Sequence, residues 1–545
     1  METAPHERKT GITLGRKIPT IWVDATTGQG VKSDGMRVTP KVGERRKNPN
    51  LTDMLDTAAS YGAERIMYTG KPPEPAPGVR HWLLVQTPGW KADGHHLASP
   101  PVGRFVHRNT GQKVHIYFAS SWFGDLALTP AQAREAWDVT ESVIQTIVEK
   151  QHLLKTPSGT GLSMWWLSLP RDRKTNEIAA PPHVSPDIAD DLRRTSGQHH
   201  IEHLVAGPNF STHEDCIPLV DPEKTRKIDT FTYVDGRFMY AALGRELGVG
   251  PGVRLNRAHA FDLMTEEPYA RAWYEVRFTV PQDWHHVGLL GVQHEAKADG
   301  WFYPNRPGAR HVTWADASEI NVALANGWGI EPLQAIAFKK ARPLDTFMQR
   351  LNRARETVEA NEELPRPLRR AVTGALRMIL LQTIGALAPR ETKKTMFAES
   401  ALEIPPQYQS TVVRHGAHYA YQVPGDRNNP ANYHPELPVQ VWGRARARVL
   451  DAPTATDLHG GGALRVPADS LIGINGDAIY TTTIPTWSLP VERGGGDDGK
   501  TGRLRIKGVA LGSFNTPATR QARDGLRARA EKAGPAGAWT PKEGA

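Results

Sequence analysis

Short apolar runs, spaced by helix-patterned stretches, restrict this chain to a mixed α/β architecture. Ile18–Asp24 (IPTIWVD) reads as a buried strand, Leu51–Ala63 as a helix and Ala63–Tyr68 (AERIMY) as a second strand. His81–Gln86 reads as a third strand, and Phe105–Ala119 as a hairpin around an Asn-Thr-Gly turn. Thr129-Pro130 is an N-cap with proline at the first helical position, opening a periodic run to about Lys150. Strands alternating with helices predict one α/β domain over 19–155. The pattern resumes after a mixed stretch at 156–228, in which Thr160–Leu169 reads as a helix and Arg171–Pro186 as a Pro- and charge-rich connector. Ala272–Val280 and Pro332–Lys339 read as strands, Ala317–Asn326 and Pro343–Glu363 as helices. In Pro365–Leu387 the residues Leu368, Val372, Leu376, Ile379, Leu380, Ile384 and Leu387 fall on one apolar helical stripe.

With 545 residues, 39% hydrophobic and 23% charged, the chain is long enough for several ordinary globular domains. Its single cysteine, Cys216, excludes an intramolecular disulfide framework and a cysteine-cluster zinc site. No stretch reaches the roughly 18 apolar residues of a membrane span. The N-terminal stretch has no apolar signal core. A cytoplasmic, intracellular protein is the expectation. The net charge of +9 favours a polyanionic partner. Residues 1–18 are expected to be disordered, 388–460 loop-rich, and 516–545 a basic flexible tail, Gly/Pro-rich at its end.

Divalent-metal chemistry on phosphates calls for carboxylates at strand ends, because hard cations take oxygen ligands. Two stretches qualify. The first is Tyr233-Val234-Asp235-Gly236, with Tyr240 five residues beyond the aspartate. The second is the apolar strand Leu471–Ile474, followed by Asn475-Gly476-Asp477 and the strand Ala478–Thr483. Asp235 is equally readable as a turn residue, and Asn-Gly-Asp as a hairpin turn. Between them lies the helix Pro365–Leu387, on which Arg366, Arg370 and Arg377 point within about 40° of one direction.

This order resembles motifs A, B and C of the protein-primed family B DNA polymerases. The resemblance covers about 230–510. It implies an α/β multidomain protein with a ribonuclease-H-like N-terminal domain over 19–155 and a polymerase-like palm over 229–515, its fingers helices at 343–388. It implies that Asp235 and Asp477 are the catalytic metal ligands, for Mg²⁺ or Mn²⁺, and that Tyr240 packs under the nucleotide sugar. Arg377 falls where the family's triphosphate-binding lysine lies, and Gly385 where its motif B glycine lies. The segment Gly502–Gly508 is similar to the family's basic strand, so Arg503, Arg505 and Lys507, with Arg366 and Arg370, are implied DNA contacts. A DNA primer-template, a dNTP and a priming terminal protein are the implied partners, in the replication of a mobile or viral element. Three departures are visible: Asn475 replaces the first motif C aspartate, and Leu381 and Ile384 replace the motif B asparagine and tyrosine.

In the N-terminal domain Asp24 stands where such an exonuclease begins its Asp-x-Glu pair, but Thr26 occupies the glutamate position. Proofreading is therefore expected to be lost. His199, His200, His203 and His213, with Glu202 and Glu214 nearby, lack any H-E-x-x-H spacing, and no zinc site is expected among them.

Overall fold

A computed structural model describes residues 13–43, 46–75, 77–97, 99–195, 202–204, 213–217, 219, 226–294, 301–388, 393–398, 400–415, 418–424 and 430–535. Residues 1–12 of the expected disordered N-terminus, the tail beyond 535, and His199 and His200 lie outside them. The chain divides into two units: 1–178 with 349–433, and 179–348 with 434–545.

The first unit is built on a seven-stranded sheet: β1 (Thr20–Asp24), β2 (Gly30–Lys32), β3 (Arg37–Val38), β4 (Arg65–Thr69), β5 (Trp90–Ala92), β6 (Gly103–His107) and β7 (Lys113–Phe118). The spatial order is β3-β2-β1-β4-β7-β6-β5. β1, β4 and β7 run parallel, and the flanking pairs are antiparallel. β1 and β4 are buried on both faces, which is what central parallel strands require of their sequence. The helix Leu51–Ser60 makes the crossover from β3 to β4, and Asn50 and Asp53 cap it reciprocally. Thr129 and Gln132 do the same for the helix Pro130–Ile147, whose proline sits in the first turn as the sequence predicts.

His81–Gln86 is not a strand. Trp82–Leu84 forms a single 3₁₀ turn, with His81 Nδ1 accepting from the Leu83 N–H at 3.2 Å. Its three apolar side chains are buried without any ladder, so hydrophobicity alone had imitated a strand.

The helix Arg366–Leu387 also differs from expectation. It belongs to this first unit and packs on the helices Pro157–Ser168, Pro130–Ile147 and Ser120–Phe123. Its apolar stripe is buried as predicted. Gly161 permits the close approach: a Cβ there would stand 1.7 Å from Thr383 Oγ1. The stretch 388–433, expected to be loops, holds a three-stranded antiparallel sheet of Lys393–Ala398, His418–Pro424 and Val413–His415. His95 pairs with Thr395 and packs at a tilt between Phe397 and Phe105, which fastens this sheet to β6.

The second unit contains two main sheets. In one, Leu247–Leu255, Gly329–Ala341, Ala272–Thr279 and Arg310–Asp316 lie side by side in that order, all antiparallel. In the other, Lys227–Gly236 is central. Leu504–Asn515 flanks it on one edge. On the other edge come Ala478–Thr481, then Leu471–Asn475, then Glu202–Leu204. One face of this sheet, with Val234, Ile474, Ile479, Leu504 and Ile506, enters the main core. The opposite face, with Phe231, Tyr233 and Tyr480, meets Leu526 and Ala530.

Those last two residues lie on the helix Arg520–Ala533, where a flexible tail was expected. Thr519 accepts from the Ala522 N–H to start it. The helix is basic on average, but Leu526 and Ala530, four residues apart, give it a short apolar stripe that the sheet buries. A second unexpected helix, Glu436–Leu450, is buried nearly all round. It has no amphipathic stripe to read, and Pro435 and Pro438 look like breakers although the first turn tolerates proline. No helix among the described residues is long and apolar enough to cross a membrane.

Candidate active site

Asp235 sits near the end of the central strand Lys227–Gly236 and is buried. Across one edge it is in register with Ala478, across the other with Arg505. Asp477 occupies the turn that joins Leu471–Asn475 to Ala478–Thr481, immediately before Asp235's partner. That turn needs Gly476, whose φ is +58°. The Asp477 carboxylate reaches back over the end of the central strand: a Cβ on Gly236 would meet Asp477 Oδ2 at 2.9 Å. Strand pairing therefore brings two aspartates, 242 positions apart in sequence, to one end of one sheet. Glycine at 236 is required by close packing, because a Cβ there would also stand 2.7 Å from Met239 Cε.

A cation lies beside Asp235. Lys507 Nζ lies 3.2 Å from Asp235 Oδ2 and 3.1 Å from the Tyr233 hydroxyl, and 3.6 Å from Glu531 Oε1. It reaches them because the ladder slips between Ile506 and Gly508, so Lys507 is the extra residue of a bulge. Bulges of this kind re-aim one side chain. Glu531 comes from the C-terminal helix, and the sequence reading missed it because that segment was taken as a tail.

Arg503 is engaged within the protein. It makes a two-pronged contact with Asp498, at 2.9 and 3.0 Å, and holds that carboxyl well below the usual carboxylate range. Arg237 likewise bonds Asp497 at 2.8 Å, and its backbone exchanges hydrogen bonds with Gly502 and Arg503. These two ion pairs pin the loop 494–503 beside the end of the strand Lys227–Gly236. No sequence motif marked Arg237, Asp497 or Asp498. Arg505 is half-buried next to Asp235 in the ladder.

Tyr240 lies in the short helix Met239–Leu243 and packs, half-buried, on the main core. The residue between motif and helix, Phe238, adopts a left-handed conformation with φ +47°. For a bulky side chain this costs roughly 1–3 kcal/mol. Phe238 is nevertheless buried, so core packing holds the turn that aims Tyr240. In the other unit, Arg366 and Arg370 are exposed on the helix Arg366–Leu387 and Arg377 is half-buried. Gly385 is exposed, with open space where a Cβ would project, so nothing steric demands glycine there.

Asp24 ends β1 as expected, but its Oδ1 is occupied locally. It accepts from the Thr26 N–H at 3.0 Å, the Thr27 N–H at 2.8 Å and the Thr27 hydroxyl at 3.0 Å. Among the described residues, Asp24 belongs to no group of three or more ligand-type side chains close enough to share an ion. Nor do Asp235 and Asp477.

No protein-family model matches the chain, and no curated protein sequence matches it. Solved structures do. The orthorhombic crystal form of phi29 DNA polymerase superposes with a TM-score of 0.50, covering 85% of this chain and 78% of that one at 11% identity. The fold is similar to that of phi29 DNA polymerase. The binary complex of phi29 DNA polymerase with primer-template DNA gives a TM-score of 0.53 at 11% identity, over 91% and 84% of the two chains. Its ternary complex with primer-template DNA and incoming nucleotide substrates gives 0.52 at 12%, over 90% and 85%. Phi29 DNA polymerase is a protein-primed family B enzyme, so the resemblance read from the motif order recurs in three dimensions. At this identity the likeness is one of fold.

Proposed function

We propose that the protein is a template-directed DNA polymerase that extends a primer by nucleotidyl transfer, with Asp235 and Asp477 as its metal-binding carboxylates. The observation that carries this reading is that both aspartates lie at the same end of one sheet, Asp235 on the strand Lys227–Gly236 and Asp477 in the turn leading into the strand paired with it. Two carboxylates suit Mg²⁺ or Mn²⁺, hard cations that prefer oxygen ligands. Bound there, such ions supply activation of the primer hydroxyl and neutralisation of the leaving pyrophosphate. The chain's own residues place them. The central strand fixes Asp235, the Gly476 turn fixes Asp477, and Phe238 sets the approach of Tyr240 to the nucleotide sugar. Lys507 keeps Asp235 charge-balanced when no ion is bound, and is near enough to contact a primer phosphate when one is. Arg377 would pair with the triphosphate, and Arg366, Arg370 and Arg505 with DNA. Arg503, being committed to Asp498, acts by holding the 494–503 loop.

The order and directions of β1, β2, β3, β4 and β7 support a ribonuclease-H-like first domain. Its exonuclease is proposed to be inactive, because Asp24 is tied into its own turn and Thr26 stands in the glutamate position. The replication context is proposed to be intracellular, in a mobile or viral element that primes from a terminal protein.

The test is incorporation of dNTPs on a primed template with Mg²⁺ or Mn²⁺, by wild type and by Asp477→Asn. Incorporation lost in the variant supports the reading; incorporation unchanged in the variant sinks the assignment of Asp477. Asn475 and the Lys507–Asp235 contact favour a second reading, a polymerase fold that binds DNA without synthesis. Salt-sensitive DNA binding with no incorporation under either metal selects it.

A further inference from the structure

The sequence offered a run of histidines with no metal spacing, but folding supplies a different set. His213 and Asp215 lie just ahead of the central strand, and His311 lies on the strand Arg310–Asp316, 96 positions from Asp215. One donor atom from each comes within 4.8 Å of the others, and this is the one such group of three among the described residues. Asp215 Oδ2 is 2.8 Å from His311 Nε2 and 3.8 Å from His213 Nδ1. In a tetrahedral zinc site with bonds of about 2.0–2.2 Å, neighbouring donors stand roughly 3.3 Å apart, between those two values. Two imidazoles on one such ion have ring centroids roughly 5 Å apart. The centroids of His213 and His311 are 5.3 Å apart, with the rings at 76°.

The surroundings are those of a held site. Phe302 stacks on the His213 ring at 3.9 Å and 6°, and packs edge-on to His311, so both rings are fixed in orientation. Arg306 Nε lies 3.6 Å from Asp215 Oδ1, the oxygen that faces away from the imidazoles, as an outer partner of a ligating carboxylate does. The Asp215 backbone carbonyl accepts from the N–H groups of Asn305 and Arg306 at 2.9 and 3.0 Å. The His294 ring stands 6.4 Å from that of His213, centroid to centroid. Against this, the Asp215 N–H donates to His213 Nδ1 at 3.1 Å, a bond that a metal on that nitrogen would displace.

We propose that His213, Asp215 and His311 form a structural site for zinc or a similar first-row cation, with His294 or water as fourth ligand. Two imidazoles and one carboxylate suit such ions and not the oxygen-preferring cations of the proposed catalytic pair. The ion would staple the segment 213–217 to the strand Arg310–Asp316. This inference is independent of polymerase activity.

The test is metal analysis of the full chain, stripped with chelator, reloaded with one equivalent of zinc and desalted. About one zinc per chain is expected in wild type and in Asp235→Asn, and a fall to near zero in His311→Ala and in Asp215→Asn. Zinc should also raise the melting temperature of stripped wild type but not of His311→Ala. Equal zinc in wild type and His311→Ala, or zinc lost from Asp235→Asn, overturns the proposal. Should His311→Ala fail to fold, zinc titration of stripped wild type against a chromophoric chelator decides: competition supports the site, and none overturns it.

Discussion

Replacing Arg446 by methionine tests the least sequence-legible part of the second unit, the helix Glu436–Leu450. Arg446 Nε and Nη2 grip the two oxygens of Glu319 at 2.6 and 2.8 Å, and both side chains are almost fully buried, at 4% and 1% exposure. Burial raises the Glu319 carboxyl, and Arg446 opposes that shift. Removing one partner of such a pair costs about 3–5 kcal/mol, because the other charge stays buried. Glu319 has one escape, protonation. Its cost at pH 7 is about 1.4 kcal/mol for each pH unit above an unfolded value near 4.3, or about 3.7 kcal/mol. The expected loss in Arg446→Met is therefore about 3–4 kcal/mol at pH 7. The sign follows from a raised carboxyl: the unfolded chain releases the proton first, so the deficit grows with pH above about 4.3 and shrinks towards acid. Urea unfolding at pH 5 and pH 7 measures it, and amide exchange in Ala317–Ala325 and Glu436–Leu450 assigns it to this unit. Adding Glu319→Gln removes the stranded charge and keeps the acceptor that Glu319 Oε2 offers the Asp316 N–H at 3.0 Å. The double variant should recover at least half the loss. A deficit under about 1 kcal/mol that does not change with pH, or a double variant no better than the single, would refute the reasoning.

Gly161→Ala should destabilise the first unit by about 1–3 kcal/mol, despite the better helix propensity of alanine, because its Cβ would overlap Thr383 Oγ1; a companion Thr383→Ala should relieve most of this in a thermal-shift assay. Asp477→Asn should lower nucleotide incorporation by at least about a hundredfold while leaving melting temperature nearly unchanged, and a variant that loses both together has simply unfolded. Because Asp498 is held below the usual carboxylate range, the Asp498–Arg503 pair stabilises at all pH values above about 4 and fades only below that; the stability gap between wild type and Arg503→Gln should be flat from pH 7 to 5 and close towards pH 2. Lys507→Gln should reduce the salt dependence of DNA binding by about one phosphate contact, and an unchanged slope would remove Lys507 from the interface.

Local pattern carried a good deal of this protein. The strand ending at Asp24, the Thr129-Pro130 helix start, the apolar stripe of Arg366–Leu387 and the Asn475-Gly476-Asp477 turn depend on neighbours within a few residues, so their period and capping are written in order along the chain. The motif order Asp235, basic helix, Asp477 was legible for the same reason. What pairs with what was not. The sequence by itself determined that Asp235 and Asp477 stand at the ends or turns of apolar strands; only the sheet decided that they lie at the same end of neighbouring strands, because register is set by which faces are buried together. The Arg520–Ala533 helix reads as a basic tail until the sheet offers a face for Leu526 and Ala530. Glu436–Leu450 reads as a Pro-broken loop because a helix buried on all sides shows no period. The same physics separates the histidines: the run at 199–213 was visible but inert as a motif, and His213 gained ligand-type neighbours only when a strand about a hundred residues later folded beside it.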